Sequence, residues 1–410
     1  MLAREGYTVS KAYGGSEALE TAEVDVPDLI LLDVKMPDTD GFQVCRALKA
    51  NPETSDIPVI FISALDDLDN KLKAFDEGGV GYVTKPFHFQ EVTARVRAHI
   101  TIRKLQEQLR TKFDAQTSEL TQVNDAYGRF VPHEFLNCLN KESITQVQLA
   151  DHEEREMSIM FADIRDFTPL SESMNPQENF KFLNSYLSRV SPVIGQHHGF
   201  IDKYIGDEIM ALFPRSPDDA VQAAIALQLE VALYNQHRGN CGYDPVRIGV
   251  SLHTGRLMLG IIGEDKRMEG TVISDAVNLA SRLESLTKLY GASIIISEST
   301  VNGLRDPDRY KHRYLDEVRV RGRKHSIKLY EVYDGLEDRV VDAREKAKPL
   351  FLEALGLYQN AEFDRARHIL ERVLTIDPDD GAAGVLTHRI DQFMEKGIPK
   401  EWAGVQEFAH

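Results

Sequence analysis

Two carboxylates, Asp163 and Asp207, and an amide–guanidinium pair, Asn278 and Arg282, are the residues whose types and spacing could do chemistry in this chain. Asp163 closes the apolar run Met157-Ser-Ile-Met-Phe-Ala-Asp163, which reads as a strand. Asp207 sits at the Gly206-Asp207 tip between two further apolar runs, a strand–turn–strand pattern. Two strand-end carboxylates able to meet at one sheet edge could hold a pair of divalent cations around a polyphosphate. Asn278 and Arg282 are at i and i+4 of Asp275-Ala-Val-Asn-Leu-Ala-Ser-Arg-Leu-Glu284, so a helix places both on one face. Each residue alone has an ordinary reading. A carboxylate beside a turn glycine is commonly structural, and a helix amide or arginine is commonly a solvated surface group. The set, in this order, carries the signal.

A second set lies near the N-terminus. Residues 26–40 run Val-Pro-Asp-Leu-Ile-Leu-Leu-Asp-Val-Lys-Met-Pro-Asp-Thr-Asp, a buried strand ending at Asp33 and followed by a proline turn. The run Pro58-Val-Ile-Phe-Ile-Ser63 is a second strand, and Gly81-Tyr-Val-Thr-Lys-Pro-Phe87 a third. Strands alternating with helical segments imply a parallel, doubly wound sheet with its working crevice at the strand C-termini. Asp33, Ser63 and Lys85 all fall on that edge.

The elements that must position these groups divide the chain. Residues 92–127 hold no proline, and Val96, Ile100, Leu105, Leu109, Phe113, Leu120 and Val123 recur at nearly helical spacing. Either a two-chain coiled coil or an exposed helix docked on its own domain fits that stripe. In the middle region a strand to Asp163 is followed by a helix over 176–196, the Gly206 hairpin and a helix over 216–236. A strand over 246–253, the Asp275 helix and strands within 310–333 complete it. Ser216 is the expected N-cap of its helix, with acids in the first turn. Beyond 335, Ala354, Tyr358, Phe363, Ala366, Leu370, Val373 and Pro378 fit a tetratricopeptide-like helix pair. A further helix over 382–396 caps it and Trp402 anchors the end. A single repeat cannot bury its own faces, so docking on a dimer of the middle region or on a partner is expected.

The Asp163, Asp207 and Asn278–Arg282 pieces together resemble the class III nucleotidyl (adenylate/guanylate) cyclase catalytic domain, over roughly residues 156–334. The resemblance implies attack of a ribose 3′-hydroxyl on the α-phosphorus with loss of pyrophosphate. Asp163, Asp207 and the Ile164 carbonyl are then the ligands of two Mg2+ ions per site, with Mn2+ as a substitute. Arg282 neutralises charge on the α-phosphoryl oxygens and Asn278 holds the ribose. Lys203 and Thr271 match the two purine-reading positions and point to ATP, and threonine at the latter matches a bacterial subgroup often stimulated by bicarbonate. Arg321 stands where many relatives carry a triphosphate-binding lysine. In such enzymes the site spans a two-fold interface, so a homodimer is expected.

Residues 5–99 resemble the response-regulator receiver domain. That resemblance makes Asp33 the phospho-acceptor, Ser63 the switch hydroxyl, Tyr82 the switch aromatic and Lys85 the phosphate-sensing lysine, with a histidine kinase upstream. Phosphorylation adds about 1.5 to 2 negative charges at the sheet edge for Ser63 and Lys85 to read. The chain begins inside what should be the first helix of such a domain, so its first strand and acidic pair are expected to be missing. A fragment starting at an internal methionine is one explanation.

The fold expected is multidomain: an incomplete α/β doubly wound receiver over 1–100, a helical coupling segment over 101–150, an α+β nucleotidyl cyclase domain over 151–336 and an α-helical tail over 337–410. A net charge of −17 in 410 residues argues against nucleic acid or an anionic membrane surface as partner. No apolar run approaches the about 20 residues of a membrane span. The first residues do not read as a signal peptide, and three scattered cysteines make no disulfide framework. A cytoplasmic location is expected. Two alternatives differ in kind: a guanylate cyclase, disfavoured by Lys203 and Thr271, and a catalytically silent dimeric regulator, disfavoured by the intact Asp163, Asp207, Asn278 and Arg282 set.

Overall fold

The computed structural model describes residues 1–64, 68–320, 325–397, 402 and 404–408. It divides into two compact units, Met1–Ala126 and Tyr127–His410.

The first unit runs α1 (Gly15–Val24), β1 (Ile30–Asp33), α2 (Gly41–Ala50), β2 (Val59–Ser63), α3 (Leu68–Asp76), β3 (Gly81–Thr84) and α4 (Phe89–Gly128). Its strands are parallel in the order β1-β2-β3. Side chains alternate across a strand, so both faces need cover. Leu32, Val59, Phe61 and Tyr82 pack on Ala22 of α1, Phe42, Val44 and Leu48 of α2 and Ala74 of α3. On the other face Ile60 and Val83 meet Val92 and Val96 of α4. This is the doubly wound arrangement expected from the sequence. Residues 7–13 form no strand, and the outer edge of β1 has no strand partner among the described residues. Helix α4 is one element of 40 residues, longer than the stripe alone suggested. Val96 of the apolar stripe is buried on the sheet, whereas Leu105, Leu109, Phe113, Leu120 and Val123 are exposed.

The second unit begins with α5 (His133–Cys138), the long strand β4 (His152–Ile164), α6 (Phe167–Glu172) and α7 (Pro176–Gln196). The hairpin β5 (Phe200–Ile205) and β6 (Glu208–Phe213) follows, then α8 (Pro217–Asn240), β7 (Ile248–Glu264) and β8 (Arg267–Ile273). Next come α9 (Asp275–Tyr290), β9 (Ile294–Ser297), α10 (Glu298–Asn302), β10 (His312–Val320) and β11 (Ile327–Val332). The helices α11 (Asp338–Gln359), α12 (Phe363–Ile376) and α13 (Gly381–Lys396) and the short β12 (Gln406–Phe408) end the chain. The described strands form one sheet in the order β12-β10-β11-β9-β7-β4-β6-β5, with β8 folded back on β7.

Period-two burial sorts the sheet into two faces. Met160, Ala162 and Ile164 of β4 join Tyr186 and Val190 of α7 and Val221 and Leu227 of α8. Met157, Ile159 and Phe161 turn the other way, towards Phe135 and Cys138 of α5 and Ala276 and Ala280 of α9. Ser216 caps α8 by accepting from Asp218 N at 3.1 Å, as its sequence position required; such a cap contributes about 1 kcal/mol.

The C-terminal helices do not await a partner to cover them. Ala347, Phe351, Leu355, Leu370 and Leu386 bury against Leu279, Leu283 and Leu286 of α9 and Leu315 and Leu329 of β10 and β11. Trp402 closes that core against Tyr358 and Phe393, at 5.2 and 5.1 Å between ring centroids.

Candidate functional site

The turn Gly206-Asp207 joins β5 to β6, with Ile205 paired to Glu208. A two-residue hairpin needs positive φ at its first position, and Gly206 provides it at 69°. The turn therefore projects the Asp207 carboxylate at the strand end. Strand β6 pairs antiparallel with β4 as far as Ala162–Ile209, so Asp163, one residue on, ends beside the same turn. Ile164 is the last residue of β4, buried and paired to Ile248. Asp163, Ile164 and Asp207 thus converge as their sequence positions predicted.

The electrostatics of this strand end are unfavourable by construction. Burial, and then the adjacent Asp163 carboxylate, push Asp207 up to about 7, although backbone N–H groups of Asp207 and Ile164 pull the other way. Asp207 Oδ2 is buried with no hydrogen-bond partner. Burial followed by repulsion from Asp163 raises Glu208 to about 7 and Glu284 of α9 to about 7. The buried phenol of Tyr186 is likewise raised, by burial and then by Asp163 and Asp207. Neighbouring cations turn elsewhere. Arg165 donates to the carbonyls of Thr287 and Ala292 at 3.1 and 2.6 Å, and Lys288 pairs with Asp166 at 2.7 Å. Among the described residues no three His, Cys, Asp or Glu side chains form a ready metal cage. Two oxygen-donor carboxylates, one with a buried oxygen that lacks a hydrogen bond, beside two further raised carboxyls, nonetheless fit hard divalent cations that also take ligands from a polyphosphate. Glu208 and Glu284 were not singled out in the sequence. The Gly-Asp-Glu run carried a signal for the first, and nothing local carried one for the second.

Lys203 leaves β5 at an irregularity in the pairing with β6 between Ile201 and Lys203. Its Nζ lies 3.4 Å from Asp202 Oδ2 and 4.0 Å from Glu269 Oε1 of β8. Glu269 and Thr271 are two apart on β8 and so share a face. Glu269 therefore links the two positions assigned to purine reading. The Asp202 side chain is 2% exposed, and burial raises its carboxyl above the usual range.

Asn278 and Arg282 stand one turn apart on the exposed stripe of α9, while Leu279, Ala280 and Leu283 are buried. Ser274 caps this helix, accepting from Ala276 N at 2.9 Å and donating to Arg256 O at 2.6 Å. Arg321 lies outside the described residues.

In the first unit, Lys85 Nζ meets Asp33 Oδ2 at 2.5 Å, and both side chains stay partly exposed. Ser63 is buried at the end of β2, paired to Thr84, and Lys85 N donates to its carbonyl at 2.7 Å. Asp33, Ser63 and Lys85 therefore share the predicted edge. Tyr82 is buried in the core with Leu32 and Phe61.

The family model described as Response regulator receiver domain matches residues 1–97, and that of the Adenylate and Guanylate cyclase catalytic domain matches residues 149–333. An adenylate cyclase of Anabaena cylindrica is 41% identical over 221 residues, 52% of this chain and 44% of that protein. The terminal-differentiation-specific adenylate cyclase of Dictyostelium discoideum is 35% identical over 264 residues, 63% of this chain and 12% of that protein. The chain thus spans less than half the length of either relative. The crystal structure of the guanylyl cyclase Cya2 matches with a TM-score of 0.40 and 32% identity, over 45% of this chain and 95% of that one.

Proposed function

We propose that this chain, a receiver domain followed by a class III adenylate/guanylate cyclase domain, is an adenylate cyclase converting ATP to 3′,5′-cyclic AMP and pyrophosphate. The observation that carries the reading is the desolvated Asp207 carboxylate, with one buried oxygen lacking a hydrogen bond, beside Asp163 at the end of β4. Asp163, Asp207 and the Ile164 carbonyl are the groups to hold two divalent cations, Mg2+ or Mn2+. When bound, such ions supply Lewis acidity and neutralise phosphate charge.

The chain's own side chains supply the rest. The 3′-oxygen loses its proton and bonds to the α-phosphorus as the bond to the pyrophosphate oxygen breaks. Arg282 balances charge gathering on the α-phosphoryl oxygens, and Asn278 fixes the ribose so that the 3′-oxygen lies in line. Lys203, held out from β5 between Asp202 and Glu269, donates to the acceptor edge of adenine. Thr271 completes that recognition, and Arg321 is assigned to the triphosphate.

The exposed placement of Asn278 and Arg282 suits a homodimer in which they complete the partner's site. Exposed Met258, Ile262, Met268 and Ile273 on β7 and β8 and Tyr204 and Ile205 on β5 provide apolar surface for that contact. In the first unit, Asp33 accepts a phosphoryl group from a histidine kinase, and Lys85 moves from its present pair with Asp33 to the new phosphate. Bicarbonate stimulation and a tetratricopeptide-like origin for α11 and α12 belong to the same reading. No helix among the described residues is long and apolar enough to cross a membrane.

The test is cyclic nucleotide formation by the purified chain with ATP or GTP, Mg2+ or Mn2+, beside Asp207→Ala. Cyclic AMP lost on that substitution is expected. Cyclic GMP formed from GTP at the higher kcat/KM would replace ATP by GTP, and no product with any metal would overturn the reading. Mixing Asp207→Ala with Asn278→Ala chains should restore part of the activity through one intact hybrid site.

A further inference from the structure

We infer that the C-terminal helices brace α9, and that Arg389, Tyr290 and Asp316 form a positioning triad for Asn278 and Arg282. This rests on the cyclase reading for its catalytic consequence but not for the brace itself.

The last turn of α9 is gripped from two directions. Tyr290, its final residue, is 1% exposed and donates its hydroxyl proton to Asp316 Oδ2 of β10 at 2.5 Å. Arg389 of α13 donates to the same carboxylate at 2.6 Å and to the Tyr290 hydroxyl oxygen at 2.9 Å. Its guanidinium lies 5.4 Å from the Tyr290 ring centroid. Backbone approaches backbone here too: a Cβ on Gly381, the first residue of α13, would fall 2.5 Å from Tyr290 O. From the other side come Arg165, on the carbonyls of Thr287 and Ala292, and Asp166, on Lys288. These two residues directly follow Asp163 and Ile164.

A buried ionic cluster is a poor way to gain stability, because apolar side chains of like volume often do as well or better. Its distinctive property is direction. Charge-assisted bonds of fixed geometry define one axial position and one rotation of α9, which Leu279, Leu283 and Leu286 sliding on an apolar core do not. Arg282 and Asn278 lie 8 and 12 residues before Tyr290, about 12 and 18 Å along the same rigid helix. A slip at its C-terminus is carried directly to both side chains, and sub-ångström placement matters for a positioned charge. Arg389 touches none of the reacting atoms. It acts through Tyr290 and the helix. The same turn also joins the Asp163 strand end to the C-terminal helices, so a change in α13 reaches both halves of the site.

The experiment uses the full chain carrying Tyr290→Phe, which deletes one hydroxyl and keeps the ring, with Arg389→Gln and Arg389→Lys. Steady-state kinetics with Mn2+ and ATP are read beside backbone hydrogen exchange of α9 and α7. The expected result for Tyr290→Phe and Arg389→Gln is kcat down about tenfold with KM for ATP within twofold, the mark of lost transition-state placement. Arg389→Lys should recover part of it. Amide exchange at residues 279–283 should quicken about tenfold while α7 is unchanged. Unchanged kcat, or exchange that quickens equally in α7 and α9, overturns the inference. If the wild-type chain makes no cyclic nucleotide, the cyclase reading fails, and localised or uniform exchange still decides the brace.

Discussion

Asp207→Asn should abolish activity and yet make the metal-free chain more stable. In the folded chain burial and Asp163 carry the Asp207 carboxyl from its ordinary 3.8 up to about 7. Between those values the folded chain keeps a proton that the unfolded chain has released. Stability therefore falls as pH rises across that window and is flat above it. The full displacement corresponds to about 4 kcal/mol. Asp163 shares part of the repulsion and solvent screens part at the turn, which leaves about 2 kcal/mol at pH 8. Asparagine keeps an acceptor for the turn's N–H groups and removes the charge. In chelator at pH 8 its Tm should rise by about 4 °C, at about 2 °C per kcal/mol for a unit this long. At pH 5 the gain should shrink to about a third, since most of the window lies above that pH. Mn2+ at a hundred times its Kd should then add about 2.7 kcal/mol to the wild type and little to the variant, reversing their order. Thermal melts at both pH values, with chelator and with Mn2+, are the assay. A variant less stable than wild type at pH 8 in chelator, or equal stabilisation of both by Mn2+, would refute the reasoning.

Three further outcomes follow from named contacts. Arg313 is fully buried and donates to Glu331 at 2.7 Å and to both Asp380 oxygens at 2.7 and 2.8 Å, so Arg313→Met should cost about 3 to 5 kcal/mol by leaving buried carboxylates underpaired. A loss below about 1 kcal/mol in urea titration would sink that account. Lys203→Glu should lower kcat/KM for ATP on the order of a hundredfold without creating a GTP enzyme, because Asp202 and Glu269 would repel the new carboxylate. A single substitution that makes GTP the better substrate contradicts it. A phosphoryl mimic such as beryllofluoride should change the cyclase rate at least twofold in wild type and not in Asp33→Asn, as stopped-time assays of cyclic AMP would reveal; an equal response in both rules out Asp33.

The legible parts of this chain are those written in local chemistry. A glycine with positive φ at a two-residue turn, a strand that alternates and a serine ahead of two acids specify the hairpin, β4 and the α8 cap without reference to distant residues. Asp163 and Asp207 were legible for that reason, and so was the α9 face carrying Asn278 and Arg282. The approach of Glu284 to Asp163 depends on how α9 packs over the sheet, and Glu208 is perturbed first by its own burial and then by the Asp163 and Glu284 charges that the folded sheet brings near it. The Tyr290–Asp316–Arg389 cluster joins residues up to 99 apart in sequence, with no periodicity to announce it. The C-terminal helices read correctly as helices needing cover. The cyclase dimer was one of the two covers expected; that the contact falls on this chain's own α9, β10 and β11 was not legible, because an apolar face specifies burial and not the surface that provides it.

The two charged clusters of the second unit obey opposite rules, and the contrast separates scaffold from site. Arg313 and Arg344 are matched by Glu331, Asp377 and Asp380 at 2.7 to 3.2 Å, and Asp380 is held below the usual carboxylate range once its arginine bonds outweigh burial. Each carboxylate there faces a guanidinium, and even Asp377 Oδ2, buried without a hydrogen bond, has Arg344 Nε at 3.2 Å. At the end of β4, Asp163, Asp207, Glu208 and Glu284 crowd together, three of them raised to about 7. The nearby Arg165 and Lys288 are engaged, the first with the carbonyls of Thr287 and Ala292 and the second with Asp166. A fold able to build the first cluster could have neutralised the second by turning one arginine around. Left acidic, the cluster carries repulsion that protonation relieves below about pH 7 and a bound cation would relieve above it, and that repulsion is the physical basis for proposing metal binding at Asp163 and Asp207.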